Sequence, residues 1–415
     1  MTMKPDRAVN MQRDGSNLHT VHAPALVLPE DGFKNFIAHI YMTDRLIHDN
    51  SERKYEVTPL ELLFDLVFAF ALSQLSHHLL THLSWRGAAE TLVMLVAIFA
   101  VWFTTSWSAT LIRADQSRTG WLVLAVMLLG LFMNASVTIA FTTSGWAFVI
   151  PLLLIQLGRT VWTLVNSIDA VLREHYFRTL LWVIATTPLW IAGAVVGPET
   201  RVLWWALAAG IDQIGRWLAH PIPGRRLRSE NVEFDADHML ERCRMFLLIA
   251  LGETVVTTGM AIAEAAITMM TLATGTFALT GTVALWALSF GRSHRLIIQH
   301  LEETSDPIRA SRHAVNALTV MVAGLIAVAV ANEEVIAHPQ GHTSFALSLL
   351  LSGGPILFLA AQGWYLWQVP RVRSRLHVIG GVALLFVGLV TPAVPAYIAL
   401  FLVGASVSIL AILDR

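Results

Sequence analysis

Residues 61–82 read ELLFDLVFAFALSQLSHHLLTH. The stretch meets the length of about 20 predominantly apolar residues that a helix needs to cross about 30 Å of hydrocarbon. Glu61 and Asp65 are spaced i and i+4 near one end, so they share a helix face. Gln74, His77, His78 and His82 lie toward the other end. An acid within hydrocarbon is costly and normally faces protein or a water cavity. This stretch is therefore read as a spanning helix packed against other helices of its own chain.

Comparable apolar stretches continue to the end of the chain. The expected helices are 59–82, 87–111, 119–142, 146–169, 177–197, 201–220, 240–262, 273–296, 311–332, 343–366, 375–390 and 392–413. The fold class is thus an all-α polytopic integral membrane protein with about twelve transmembrane helices. Pro392 and Pro395 either open the last span or kink one longer helix. Composition agrees: the 415 residues are 55% hydrophobic and 14% charged, with a formal net charge of -1. A soluble domain carries about 25% charged residues. Disorder, a coiled coil and a nucleic-acid binder are excluded by the same figures. The single cysteine, Cys243, cannot make an intrachain disulfide.

Lys and Arg stay on the cytoplasmic side of bacterial spans. With the twelve expected helices, every one of the 28 Lys and Arg falls on one side except Arg86, Arg201 and the intramembrane Arg159. Both termini are accordingly expected in the cytoplasm, and the lipid bilayer of the bacterial plasma (inner) membrane is the expected partner. Residues 1–58 are expected to be a cytoplasmic, disordered extension; 34–47 are only weakly amphipathic, and the first span would itself direct insertion. Trp85, Trp121, Trp146 and Trp367 suit an interfacial aromatic belt.

A repeat is also suggested. Glu61 and Gln74 of the first helix find counterparts in Glu241 and Glu253 of the seventh, and Trp102 and Thr105 in Trp286 and Ser289. The expected organisation is a first half at 59–220 (helices 1–6), a basic cytoplasmic loop at 221–239 and a second half at 240–415 (helices 7–12). Two parallel six-helix repeats would place a site between them.

Intramembrane charge marks the candidates. Asp65 lies about 9 Å in by helix rise, and Glu61 sits at the edge. Arg159, about 15 Å deep, needs a partner, and Glu253, about 18 Å deep, is the acid closest to it in depth. An Arg159–Glu253 ion pair is expected, either architectural or opened by protonation of Glu253. Asp212 and Arg216 are spaced i and i+4 in the favourable order for a pair on one helix. Gln74, Asn134, Gln156 and Asn316 are neutral and of second rank, suited to hydrogen bonds between helices.

His78 and His82, and again Glu334, His338 and His342, have i, i+4 spacing, but Pro339 interrupts the second set and no HExxH occurs. No metal and no cofactor are expected. Phosphate-cradling loops and a GxSxG elbow are absent, so nothing points to nucleotide hydrolysis or serine chemistry, and no enzyme is expected.

ELLFDLVFAFALSQLSHHL, residues 61–79, resembles the first helix of the bacterial low temperature requirement protein A (LtrA) family. His238, Glu241, Arg242 and the run LIALGE ending at Glu253 resemble its second motif. The likeness covers roughly residues 57–415 and implies a many-helix membrane protein linked to growth in the cold. It supplies no catalytic residue. FDLVFAFAL also resembles, more faintly, the first helix of lysosomal and bacterial potassium channels. The expected function is a transporter or channel for a small solute or ion, whose path involves Glu253, Arg159, Asp65, Glu61, Asp212 and Gln74. The alternative is a non-transporting membrane scaffold or sensor linked to cold growth. A third class is a lipid-modifying enzyme holding anionic headgroups on the basic loop. The sequence specifies neither the solute nor the oligomeric state.

Overall fold

The computed structural model describes residues 57–111, 116–167, 169–222, 234–291, 306–368 and 375–414. The expected N-terminal extension up to residue 56 and residues 223–233 of the expected basic loop lie outside the described residues. The described helices belong to one compact unit, Glu52–Arg415.

Twelve long helices make up the fold among the described residues. They are α1 (Pro59–Thr81), α2 (Trp85–Leu111), α3 (Gln116–Ala135), α4 (Gly145–Asn166), α5 (Ala170–Val195) and α6 (Pro198–Trp217), then α7 (Ala236–Glu264), α8 (Met269–Phe290), α9 (Pro307–Ala337), α10 (Phe345–Trp367), α11 (Arg375–Val390) and α12 (Ala396–Leu413). Ten are long and apolar enough to span a bilayer. The apolar part of α3 is only Thr119–Ala135, and α6 carries Glu199, Arg201, Asp212 and Arg216. The chain is a multi-pass membrane protein.

Caps set the helix ends. Thr58 and Glu61 form a capping box that starts α1: the Thr58 amide and hydroxyl each donate to Glu61 Oε2 at 3.0 Å, and the Glu61 amide donates to Thr58 Oγ1 at 3.3 Å. Asp169 starts α5, accepting from the Val171 and Leu172 amides, and Asp306 starts α9 through the Arg309 amide. α3 ends earlier than expected, at Ala135, and a 3₁₀ turn at Val137–Ile139 leads toward α4. Pro395 caps α12, so the final apolar stretch is two helices.

Burial separates two faces on helices that are apolar all round. On α1, Phe64, Phe68, Leu72, Leu75 and Leu79 are buried, while Leu63, Leu66 and Phe70 are exposed. The exposed set continues with Leu128, Phe132, Ile150, Leu154, Phe386 and Leu389 on other helices, an apolar surface suited to lipid.

Within the first six helices α1 packs on α2 and α3, α3 on α4, α4 on α5, α5 on α6, and α6 returns to α2. Within the second six, α7 packs on α8 and α9, α9 on α10, α10 on α11, α11 on α12, and α12 returns to α8. The two orders are the same. α1 also packs on α7 and α9, joining the groups. α9 and α10 approach each other closely. A Cβ on Gly324 would lie 2.6 Å from the Gly354 carbonyl oxygen, and one on Gly354 would lie 2.9 Å from that of Gly324.

Candidate functional site

The two motifs singled out in the sequence meet at the end of the bundle where α1, α5, α7 and α9 begin. Because α1 and α7 run parallel, two i, i+4 pairs face each other rung by rung. His238 Nε2 donates to Glu61 Oε1 at 2.9 Å, and Arg242 donates to Asp65 Oδ1 at 2.6 Å. Arg242 Nη1 also reaches Glu61 Oε1 at 3.5 Å. From α2, Trp102 Nε1 donates to Asp65 Oδ1 at 2.7 Å. Asp65 is 0% exposed and Arg242 1%. Phe64 and Trp102 lie beside the guanidinium, with its carbon 5.4 and 5.9 Å from their ring centroids. Phe246 packs on Trp102 at 4.6 Å. The arrangement is a closed, buried clasp of two acid–base rungs, in which Asp65 Oδ2, His238 Nδ1 and Arg242 Nε have no hydrogen-bond partner among the described residues.

Arg159 lies elsewhere, on the wall of a cavity of about 160 Å³ at the same end. α2, α4, α5, α6 and the start of α9 enclose it. Arg159 Nη1 donates to the Thr104 carbonyl at 3.1 Å and to Ser108 Oγ at 3.3 Å. Its Nε is buried with no hydrogen-bond partner, as is His175 Nδ1. Arg216 and Arg312 line the same cavity, with Tyr176, Thr179 and His220. Phe103, Trp107 and Leu172 supply apolar wall. The acids nearby are Asp306, at the mouth, and Asp212, in a small adjoining space that Arg159 and Arg216 share.

The wall beyond α6 is made by an unusual turn. Ala219 and His220 have φ of 54° and 51°, and the His220 amide reaches back to the Gly215 carbonyl at 2.7 Å, closing the helix end. This turn holds the His220 ring 3.2 Å from Thr179 Oγ1. Burial, helped by His175 and the arginines, pushes His220 down to about 2, so this ring is neutral and adds no charge to the cavity. Ala219→Gly is expected to raise stability by about 1 kcal/mol, since glycine adopts positive φ without the Cβ conflict. Thermal unfolding of the detergent-solubilised protein checks it, and a lower midpoint would contradict it.

The expected Arg159–Glu253 ion pair is not formed. Glu253 lies beside Ser73, which is about 12 Å further along α1 than Asp65 by helix rise. Arg159 binds α2 on the other side of Trp102, at Thr104 and Ser108, so it lies no deeper than Asp65. α4 ends at Asn166, which leaves Arg159 only about 10 Å from that end. The two charges therefore differ too much in depth to touch. Asp212 and Arg216 form no ion pair either: Trp190 donates to Asp212 at 3.1 Å, and Arg216 donates to Gln213 at 2.6 Å. Gln74 is half-buried and makes no side-chain hydrogen bond among the described residues.

Of the expected site residues, the structure unites Glu61 with Asp65 and places Arg159 near Asp212, while Glu253 and Gln74 stand apart. It adds His238, Arg242 and Trp102 to the acids, and Arg216 and Arg312 to Arg159. The signal for the first group was present, because residues 238 and 242 repeat the spacing of 61 and 65. Toward the opposite end, His78 Nε2 and Arg86 Nε both contact Glu90, at 3.2 and 2.9 Å. Among the described residues no group of three His, Cys, Asp or Glu is placed to hold a metal ion.

The second six helices contain a counterpart of the Arg159 contact. Gln362 of α10 donates to the Leu288 carbonyl of α8 at 2.8 Å, as Arg159 of α4 donates to Thr104 of α2. Thr104 follows Trp102 by two residues, and Leu288 follows Trp286 by two. The space between α8, α9, α10 and α12 is a mainly apolar cleft of about 20 Å³.

Comparison with known proteins gives a family match over almost the whole described fold: residues 56–412 match the bacterial low temperature requirement A protein (LtrA). An uncharacterized protein of Rhizobium meliloti (strain 1021) is 30% identical over 325 residues, covering 77% of this chain and 79% of that relative. No solved structure matches the chain.

Proposed function

The chain belongs to the bacterial low temperature requirement A family, and from that premise we propose that it is a transporter or channel for a small solute or ion. The observation that carries the reading is Arg159, a buried cation with an unpartnered nitrogen on the wall of a cavity inside a membrane bundle. An uncompensated charge at such a position is costly and is normally retained for a substrate or ion path. The closed Glu61–Asp65–His238–Arg242 clasp holds α1 to α7 beside that path, and the repeated packing order suits two parallel repeats.

Proteoliposomes made with the full chain test this. With proton, potassium, chloride and phosphate gradients imposed in turn, at least one flux is expected above empty vesicles and is expected to fall to background in Arg159→Gln. Glu253→Gln should retain flux, because Glu253 lies apart from the cavity. A folded, inserted protein that moves none of the four would favour a scaffold or sensor role.

In this reading the protein sits in the plasma membrane with both termini cytoplasmic, supported by the concentration of arginines at the end where α1 begins. Cys243 is buried and gives a quiet background for labelling. In intact cells Gln340→Cys, between α9 and α10, should react with an impermeant maleimide, and Gln368→Cys, at the end of α10, should not. The reverse pattern would invert the topology.

A further inference from the structure

We propose that the Arg159 cavity is a binding site for a phosphate-class oxyanion attached to a small apolar body. The proposal rests on the reading of this cavity as the solute site, and names the solute's chemistry. Three guanidinium groups, from Arg159, Arg216 and Arg312, come from three different helices to one space. Guanidinium groups offer rigid forks of N–H donors matched to phosphate oxygens. Asp306 and Asp212 together leave the group with net positive charge, so a cation is disfavoured and one or more negative charges are needed. Asp306 is also engaged as the cap of α9. Tyr176 and Thr179 also line the wall, but their hydroxyl protons are engaged by Ser108 Oγ and the His175 carbonyl, so the guanidinium groups are the donors an oxyanion would meet. Phe103, Trp107 and Leu172 are the surface against which a bare inorganic ion would gain nothing and an apolar body would.

The fold itself does not require this charge. At the counterpart position in the second six helices the carbonyl of α8 is satisfied by neutral Gln362, and the adjoining cleft is mainly apolar. A glutamine therefore suffices for the helix contact. The positive charge and the space beside it exceed what packing needs, since Gln362 makes the same contact with a neutral side chain whose Oε1 is likewise buried and unpartnered.

The oxyanion has two sources, a soluble phosphate ester or the headgroup of an anionic lipid, and the test separates them. In the first arm, delipidated full-length protein in neutral detergent is titrated calorimetrically with inorganic phosphate, hexyl phosphate and hexyltrimethylammonium. In the second, the protein is placed in phosphatidylcholine nanodiscs with and without phosphatidic acid, and retained lipid is read by native mass spectrometry. Saturable binding of hexyl phosphate, tighter than inorganic phosphate and absent for the ammonium, supports a soluble ligand. Specific retention of phosphatidic acid supports a lipid headgroup. In either arm Arg159→Gln should weaken binding by about tenfold or more, the loss expected for one charge-assisted contact. Arg309→Gln, an exposed arginine outside the cavity, should bind as wild type.

Equal binding by wild type and Arg159→Gln, binding of the ammonium, or no saturable binding in either arm would overturn the proposal. Arg216→Gln repeats the test should Arg159→Gln fail to fold. With hexyl phosphate added to the solutes offered to the proteoliposomes, its binding without its flux would uphold the oxyanion site and sink the transport reading; flux without oxyanion binding would do the opposite.

Discussion

Arg242→Met is expected to destabilise the protein by about 3 to 5 kcal/mol, the cost of stranding a buried charge by removing its partner. Asp65 is fully buried, and its remaining donor would be Trp102, with Oδ2 already unpartnered. Glu61 would keep His238 and the Thr58 cap, so the penalty falls mainly on Asp65. Unfolding by titrated SDS in mixed micelles measures it. The double variant Asp65→Leu with Arg242→Met should recover most of the loss, because an apolar pair of similar volume often replaces a buried ion pair at little cost. A single variant as stable as wild type would show that the clasp contributes nothing.

Two adjacent glycines of α10 should behave oppositely. A Cβ on Gly354 would meet the Gly324 oxygen at 2.9 Å and the Val328 amide nitrogen at 3.1 Å, both backbone atoms that move only if α9 and α10 separate. Gly354→Ala should therefore cost about 1 to 3 kcal/mol, the range of overpacking in a well-filled interior. At Gly353 the nearest atom is a Leu349 methyl at 3.8 Å, an ordinary contact. Gly353→Ala should gain up to about 1 kcal/mol of helix propensity. The same SDS titration compares them, and equal effects at the two positions would contradict the close approach of the helices.

The helices were legible because a spanning segment is dictated by length and apolarity alone. Their ends were less so. The apolar stretch of α5 was expected to start at 177, yet the helix begins at Ala170, where Asp169 caps it and Arg173, Glu174 and His175 continue it. At α9 the cap at Asp306 likewise opens the helix four residues before the expected 311. Hydrophobicity marks what hydrocarbon can cover, whereas hydrogen bonding of the first amides marks where a helix starts. The same distinction explains the site. Depth along a helix can be counted from sequence, but which neighbour a helix faces cannot, so Arg159 was assigned an acid of similar apparent depth on a helix it does not touch. Glu61 and Asp65 were identified as candidates, while their partners required knowing that α1 and α7 lie side by side and parallel.

That parallel pairing also restricts movement. Two rungs one helical turn apart fix both the rotation of α1 about its axis and its offset along α7. A slip of one residue would turn Asp65 away by about 100° and separate every matched charge. While both rungs hold, α1 and α7 move as one body, and relative movement is left to other seams of the bundle.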